Sequence, residues 1–254
     1  MEDESELPIN GQHRIDNGSI QIPPPSVNIG TITYKVPHTP QRMLSRNRAN
    51  MALEQINLPD DLSTISQTAT SLQLINLADN RSDIFVKSSQ PAIHNYVPCD
   101  FHLVDQALTW ILDNYLLTGN RFCELGSGMG VAALLASNHR MESVGIEIEP
   151  TLVEESCLLA RELVLPTRFY CGSFVPRNVA NILELSQGIE HVVTDEGDVY
   201  DDIGLAPSEF DLFFAFPWPG ERHFFEAIFQ QCAADGACLL TYEGREGLNL
   251  VRKI

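Results

Sequence analysis

A chain of 254 residues, 44% apolar and 20% charged, is long enough to bury one α/β core with extensions. No run approaches the roughly 18 apolar residues of a membrane helix. The acidic start Met1-Glu2-Asp3-Glu4-Ser5-Glu6 lacks the basic-then-apolar pattern of an export signal, which predicts a cytoplasmic protein with no membrane partner.

The net charge of −18 is unevenly placed: residues 1–100 carry 7 basic and 11 acidic side chains, residues 101–254 carry 9 and 23. So acidic a second half repels polyphosphate at long range, which argues against bulk nucleic acid as a partner and leaves a small or cationic one open.

Residues 1–40 are polar and punctuated by Pro23, Pro24, Pro25, Pro37 and Pro40, and read as an extended, mobile arm. Residues 41–98 form an N-terminal extension, helical in part and covering the core. There Met43, Leu44, Met51, Leu53 and Ile56 fit one side of an irregular helix, and Leu72, Leu74, Ile75 and Leu77 fit another. Arg42, Arg46 and Arg48 read as a solvated basic face.

From residue 99 to 254 the pattern sharpens into one domain. Apolar residues at helical spacing over 101–112, with Asp100 ahead of them as N-cap, predict a helix. Strand 121–126, helix 129–138, strand 143–149, helix 151–164 and strand 167–172 follow. A helix over 178–187 and a loop over 194–204 precede strand 210–217, helix 220–234 and strand 237–243. Segment 248–252 reads as a short edge strand. This alternation implies a doubly wound, mostly parallel α/β sheet with helices on both faces.

The six cysteines, Cys99, Cys123, Cys157, Cys171, Cys232 and Cys238, show no C-x-x-C or finger spacing. They read as structural thiols in a reducing compartment, with Cys123, Cys171 and Cys238 in core strands.

The chemistry concentrates in Glu124-Leu125-Gly126-Ser127-Gly128-Met129-Gly130, a strand running into a glycine-rich turn and an apolar helix. A second strand, Val144-Gly145-Ile146-Glu147-Ile148-Glu149-Pro150, places a carboxylate about 20 residues past the first glycine, where a nucleoside pocket needs one for ribose. Glycines there let the backbone turn sharply and approach a ligand closely. A dinucleotide fingerprint would put its third glycine at Val131, and Gly130 is one place early, which counts against an NAD(P)-dependent oxidoreductase.

The pattern E-x-G-x-G-x-G with the strand-end acid resembles the class I S-adenosylmethionine-dependent methyltransferases over roughly residues 100–254. The resemblance implies a Rossmann-like fold and S-adenosylmethionine as cofactor. Gly126, Ser127, Gly128 and Gly130 would pass under its methionine part, Glu124 would stand near its amino group, and Glu147 would hold its ribose. Glu149 is the rival to Glu147 and otherwise a solvated or capping acid. Ile148 follows the ribose acid into the pocket. Ser173 and Phe174 occupy the third-strand place, where the family often has an acid contacting adenine. The family usually closes with a further helix and an antiparallel strand pair. Only about ten residues follow strand 237–243 here, so the C-terminal edge is abbreviated and the last edge of the sheet is open to question.

On the acceptor side the fourth strand ends in Phe216-Pro217-Trp218-Pro219-Gly220-Glu221. Amino-methylating relatives often carry N-P-P-Y or D-P-P-Y at this place; the split prolines and the missing amide weaken a nucleobase acceptor. Phe216 and Trp218 suit stacking or cation–π contact with an acceptor, or simply pack the strand end. Glu221 suits a general base or a clamp for a cationic amine, or a first-turn helix acid. His223 is a weaker candidate base, and His102 and His191 fit no metal spacing. Thr194–Asp202 packs five acids into nine residues without the oxygen-ligand pattern of a calcium loop, so a solvated loop is expected and a cation site is the alternative. No metal is expected.

Three functions fit these motifs. One is a methyltransferase acting on a small-molecule or protein acceptor. Another is a non-catalytic S-adenosylmethionine-binding scaffold or sensor. The third is the oxidoreductase already disfavoured.

Overall fold

The computed structural model describes residues 52–88 and 99–254. The expected arm and the basic group Arg42, Arg46 and Arg48 lie outside the described residues, as do Met43, Leu44 and Met51.

In chain order the elements are β1 (Leu53–Ile56), α1 (Ala69–Ser88), α2 (Phe101–Asp113), β2 (Arg121–Leu125), α3 (Val131–Asn138), β3 (Glu142–Glu147), α4 (Pro150–Glu162), β4 (Arg168–Cys171) and α5 (Ile182–Leu185). They continue with α6 (Val199–Ile203), β5 (Leu212–Ala215), α7 (Arg222–Cys232), β6 (Cys238–Tyr242) and β7 (Leu248–Lys253). One seven-stranded sheet results, in the order β1-β7-β6-β5-β2-β3-β4. β2 to β6 run parallel, while β7 is antiparallel to both β6 and β1. This is the doubly wound, mostly parallel sheet expected from the sequence.

Both faces of the central strands are covered, so their side chains alternate between two apolar layers rather than between core and solvent. Phe122, Leu212, Phe214, Cys238 and Leu240 join α1 to α4 on one face. Cys123, Leu125, Phe213, Ala215 and Leu239 join α6 and α7 on the other. The same alternation turns Glu124 toward α3, beside Phe122.

The outer edge corrects the helical reading at Leu53 and Ile56. Leu53 and Ile56 lie in strand β1, paired in register with Lys253 and Leu250 of β7. A spacing of three suits one helix face, but on a strand it places the two residues on opposite faces. Leu53 packs against the α7 layer and Ile56 against the α1–α3 layer. Strand β1, from the N-terminal extension, thus lies at the sheet edge, and β7 is sandwiched between β6 and β1.

The helix expected over 178–187 shrinks to Ile182–Leu185, because Asn178 and Asn181 take left-handed backbone (φ 66° and 59°). The 194–204 segment, read as loop, contains α6. Cys123 and Cys238 are buried, but Cys171 is exposed: β4 is the last strand of the sheet and has no neighbour on its outer side. Asp100 caps α2 as expected, its side chain accepting from the Leu103 amide at 3.1 Å.

The strand order reverses between β2 and β5, where open α/β sheets bind ligands at the carboxyl ends of their strands. The loops leaving β2, β3, β4, β5 and β6 all open there.

Candidate functional site

The loop after β2 is bound firmly to β3. The amides of Gly126 and Ser127 both donate to the Ile146 carbonyl at 2.9 Å. The Ser156 hydroxyl of α4 donates to the Gly128 carbonyl at 2.9 Å. Gly126 has φ +70° and a Cβ built there would meet no heavy atom within 4 Å, so that face of the turn fronts open space. Ser127 is 6% exposed, and its hydroxyl is buried without a partner among the described residues. An orphaned hydroxyl and an open cradle are what a ligand with polar groups completes.

Gly130 serves a different purpose from the one expected. It does not line the cavity; a Cβ there would stand 2.2 Å from the Phe169 ring, and one at Gly145 would stand 2.6 Å from it. The two glycines make room for Phe169 between α3 and β3. Gly130 is a packing glycine.

Glu147 ends β3 with a carboxylate 8% exposed. One oxygen accepts from the Gly128 amide at 2.7 Å; the other accepts from the amides of Ile148 at 2.8 Å and Glu149 at 3.0 Å. Three donors fix its orientation, and the oxygen shared with Gly128 keeps a lone pair for a further donor. Glu149 instead accepts from the Thr151 hydroxyl at 3.1 Å and does not cap α4 with its side chain.

Glu124 lies deeper, 4% exposed, with one oxygen accepting from the Ala133 amide at 2.8 Å. Burial pushes its carboxyl up to about 8, against the pull of the Ala133 and Ala132 amides, and the charge of Glu147 adds to the rise. A carboxyl in this state is protonated at neutral pH unless a cation joins it.

These residues share one cavity of about 1190 Å³. Glu124, Gly126, Ser127, Gly128, Glu147, Ile148, Ser173, Phe174, Phe216 and Trp218 all line it. Ile148 is 48% exposed at its mouth. The Ser173 hydroxyl donates to the Asp195 carbonyl at 2.6 Å and accepts from the Val175 amide at 3.2 Å. Phe174 stacks on Phe225 at 5.1 Å and forms a wall. At the far end Phe216 meets Tyr242 edge-on, at 4.9 Å between ring centroids.

Glu221, expected to face an acceptor, does not line the cavity. It is 4% exposed, and one oxygen accepts from the amides of Glu190 (2.9 Å) and His191 (3.1 Å) and from His191 Nδ1 (3.0 Å). Burial alone would raise its carboxyl, but these donors outweigh burial and hold it below the usual carboxylate value. His223 is also outside the cavity, turned to the Gly220 carbonyl at 2.8 Å.

His191 is the residue sequence reasoning missed. It lines the cavity and stacks on Trp218, at 4.3 Å between centroids and 16° between planes. It arrives from an irregular loop thirty positions before Glu221, and no local spacing signals that. Among the acids after Thr194, Asp198 and Asp201 pair with Arg177 at 3.1 and 2.8 Å, and Glu196 accepts from the Val179 amide at 2.8 Å. Among the described residues no group of three or more His, Cys, Asp and Glu side chains is arranged to hold a metal.

Fold and site together define a doubly wound α/β protein with a large cavity at its switch point. No protein-family model matches the chain, and neither does any curated protein. Among solved structures, it is similar to an RNA methyltransferase from Salinibacter ruber in complex with S-adenosyl-L-homocysteine (21% identity, TM-score 0.42, 62% of this chain and 94% of that one). It is similar also to the S-adenosylhomocysteine-bound methyltransferase PaMTH1 of Podospora anserina (15%, 0.41, 73% and 71%). A methyltransferase from Geobacter sulfurreducens is a third (12%, 0.42, 75% and 92%). At these identities and scores the likenesses carry no weight in assigning an activity. No helix among the described residues is long and apolar enough to cross a membrane.

Proposed function

We propose that this protein is an S-adenosylmethionine-dependent methyltransferase acting on a small-molecule or protein acceptor. The observation that carries the reading is the meeting of the open turn at Gly126, the orphaned Ser127 hydroxyl and the oriented Glu147 carboxylate in one cavity. Ser127 and the turn would face the methionine part, Glu147 the ribose hydroxyls, Ser173, Phe174 and Ile148 the adenine, and Glu124 the ammonium. That cation would supply the partner the buried carboxyl of Glu124 lacks. The cofactor would supply an activated methyl group.

The cavity of about 1190 Å³ exceeds the roughly 300–1,000 Å³ of a typical single-ligand pocket, leaving space for an acceptor at the Phe216 and Trp218 end. Chain residues there would hold nucleophile and methyl in near-attack geometry, the largest contribution a site of this kind makes. The balance of 9 basic to 23 acidic residues over 101–254 supports a small or protein acceptor rather than bulk nucleic acid.

The test is thermal unfolding with and without S-adenosylhomocysteine, then transfer of labelled methyl from S-adenosylmethionine into a cell extract. Ligand at 100 times its Kd contributes about 2.7 kcal/mol and should raise Tm. Label in small molecules or protein supports the proposal, and label confined to RNA or DNA corrects the acceptor. Binding with no labelled product favours the sensor, and stabilisation by NAD alone favours the oxidoreductase.

A further inference from the structure

We propose that His191 is the catalytic base of the acceptor site and that Glu221 is its positioning residue, so that the acceptor bears a removable proton on oxygen or nitrogen. This rests on the methyltransferase reading and deepens it.

Four observations converge on the imidazole. Its Nδ1 lies 3.0 Å from Glu221 Oε1, and Glu221 is buried and outside the cavity, whereas His191 lines it. The donors around Glu221 favour its ionised form, which only accepts hydrogen bonds. Nδ1 must therefore carry the ring proton, and in the neutral ring Nε2 presents a lone pair on the opposite side. Nε2 has no protein partner among the described residues. The Glu190 and His191 amides donate to the same Glu221 oxygen, fixing the backbone that carries the ring. Trp218 stacks on the ring at 4.3 Å and fixes its plane. A carboxylate holding one ring nitrogen so that the other serves as base is the arrangement general-base catalysis requires.

In the transfer step the acceptor's O–H or N–H bond breaks toward His191 Nε2 as the acceptor atom bonds the methyl carbon. The carbon–sulfur bond breaks with its electron pair retained by sulfur. The imidazolium formed is stabilised by Glu221, and its side chain, 34% exposed, returns the proton to water. Charge and atoms balance without a further reactant. The arrangement also revises the role of Trp218: His191 covers one ring face, leaving only the other to contact an acceptor.

The test joins a spectroscopic and a kinetic readout. Long-range nitrogen NMR of the labelled protein with S-adenosylhomocysteine should show His191 as the Nδ1–H tautomer, with His191→Asn assigning the signal; Glu221→Ala should convert it to a mixture. A wild-type Nε2–H tautomer overturns the proposal. In the labelled-methyl assay with cell extract, His191→Asn keeps an N–H at the Nδ1 position but removes the base, and should lower labelling by 100-fold or more. Its calorimetric affinity for S-adenosylhomocysteine should stay within about twofold, since the base contacts only the acceptor. Labelling at the wild-type rate overturns the base while leaving the methyltransferase reading intact. Wild-type binding without labelling removes the base and leaves the sensor. No binding heat removes both.

Discussion

Raising the pH from 6 to 8 should tighten the binding of S-adenosylhomocysteine, and the size of the effect follows from Glu124. Its carboxyl, pushed up to about 8 by burial, is roughly 90% protonated at pH 7 in the free protein. The ligand's α-amino group sits beside its own free carboxylate, which keeps it protonated through this pH range. A complex pairing carboxylate with ammonium holds one proton where the free partners together hold about 1.9, so about 0.9 proton is released on binding at pH 7. The same populations make affinity rise about 50-fold between pH 6 and pH 8. Calorimetry at pH 7 in two buffers of different ionisation enthalpy reads the released proton directly, and titrations at pH 6, 7 and 8 read the slope. Glu124→Gln should abolish the release and flatten the slope, because the ligand's ammonium does not titrate between pH 6 and pH 8. A wild-type affinity that is flat with pH, or a variant that keeps the rise, would refute the pairing of Glu124 with the ammonium.

The two turn glycines should behave oppositely. Gly130→Ala drives a methyl into Phe169 at positive φ and should cost about 2–5 kcal/mol in denaturant unfolding. Gly126→Ala meets only backbone strain, about 1–2 kcal/mol, but should weaken S-adenosylhomocysteine at least tenfold because its methyl occupies ligand space. Equal stability losses with unchanged binding would contradict both assignments. Asp105, fully buried, accepts from His139 Nε2 at 2.7 Å and Gln67 Nε2 at 2.9 Å. Burial raises its carboxyl, but these hydrogen bonds outweigh burial and hold it below the ordinary value of 3.8. A depressed carboxyl contributes stability above its unfolded pKa and loses it as pH falls through the folded one, so Asp105→Asn should flatten the decline below about pH 4. An unchanged acid limb in chemical unfolding would contradict this. Finally, Ile56→Ala should cost about 1–2 kcal/mol, since β1 closes the sheet edge and Ile56 packs on the α1–α3 layer. Unchanged stability would show that the edge does not depend on it.

Much of the fold from residue 99 onward was legible because its strands are short apolar runs, and β2 to β6 fall within a residue or two of their expected limits. That Gly126, Ser127 and Glu147 would be neighbours was legible for the same reason: they lie at the ends of two adjacent parallel strands, and the structure brings them to one cavity. What failed was non-local. Leu53 and Ile56 present a helical spacing whose meaning changes once β7 is the partner. Glu221 follows β5 closely in sequence, yet burial and the 190–191 amides turn it from the cavity. His191 enters by the same contact, which couples residues thirty positions apart and leaves no periodicity to read.

The most direct measurement is isothermal titration of S-adenosylhomocysteine into the wild-type protein and Glu147→Ala side by side at pH 8. A saturable one-to-one heat is expected for the wild type. The variant should keep its fold and bind about 100-fold more weakly, because hydrogen bonds to a charged acceptor contribute about 1.5–3 kcal/mol each. Absence of heat with the folded wild-type protein, or equal affinity in the two, would contradict the assignment of this cavity to an adenosyl cofactor.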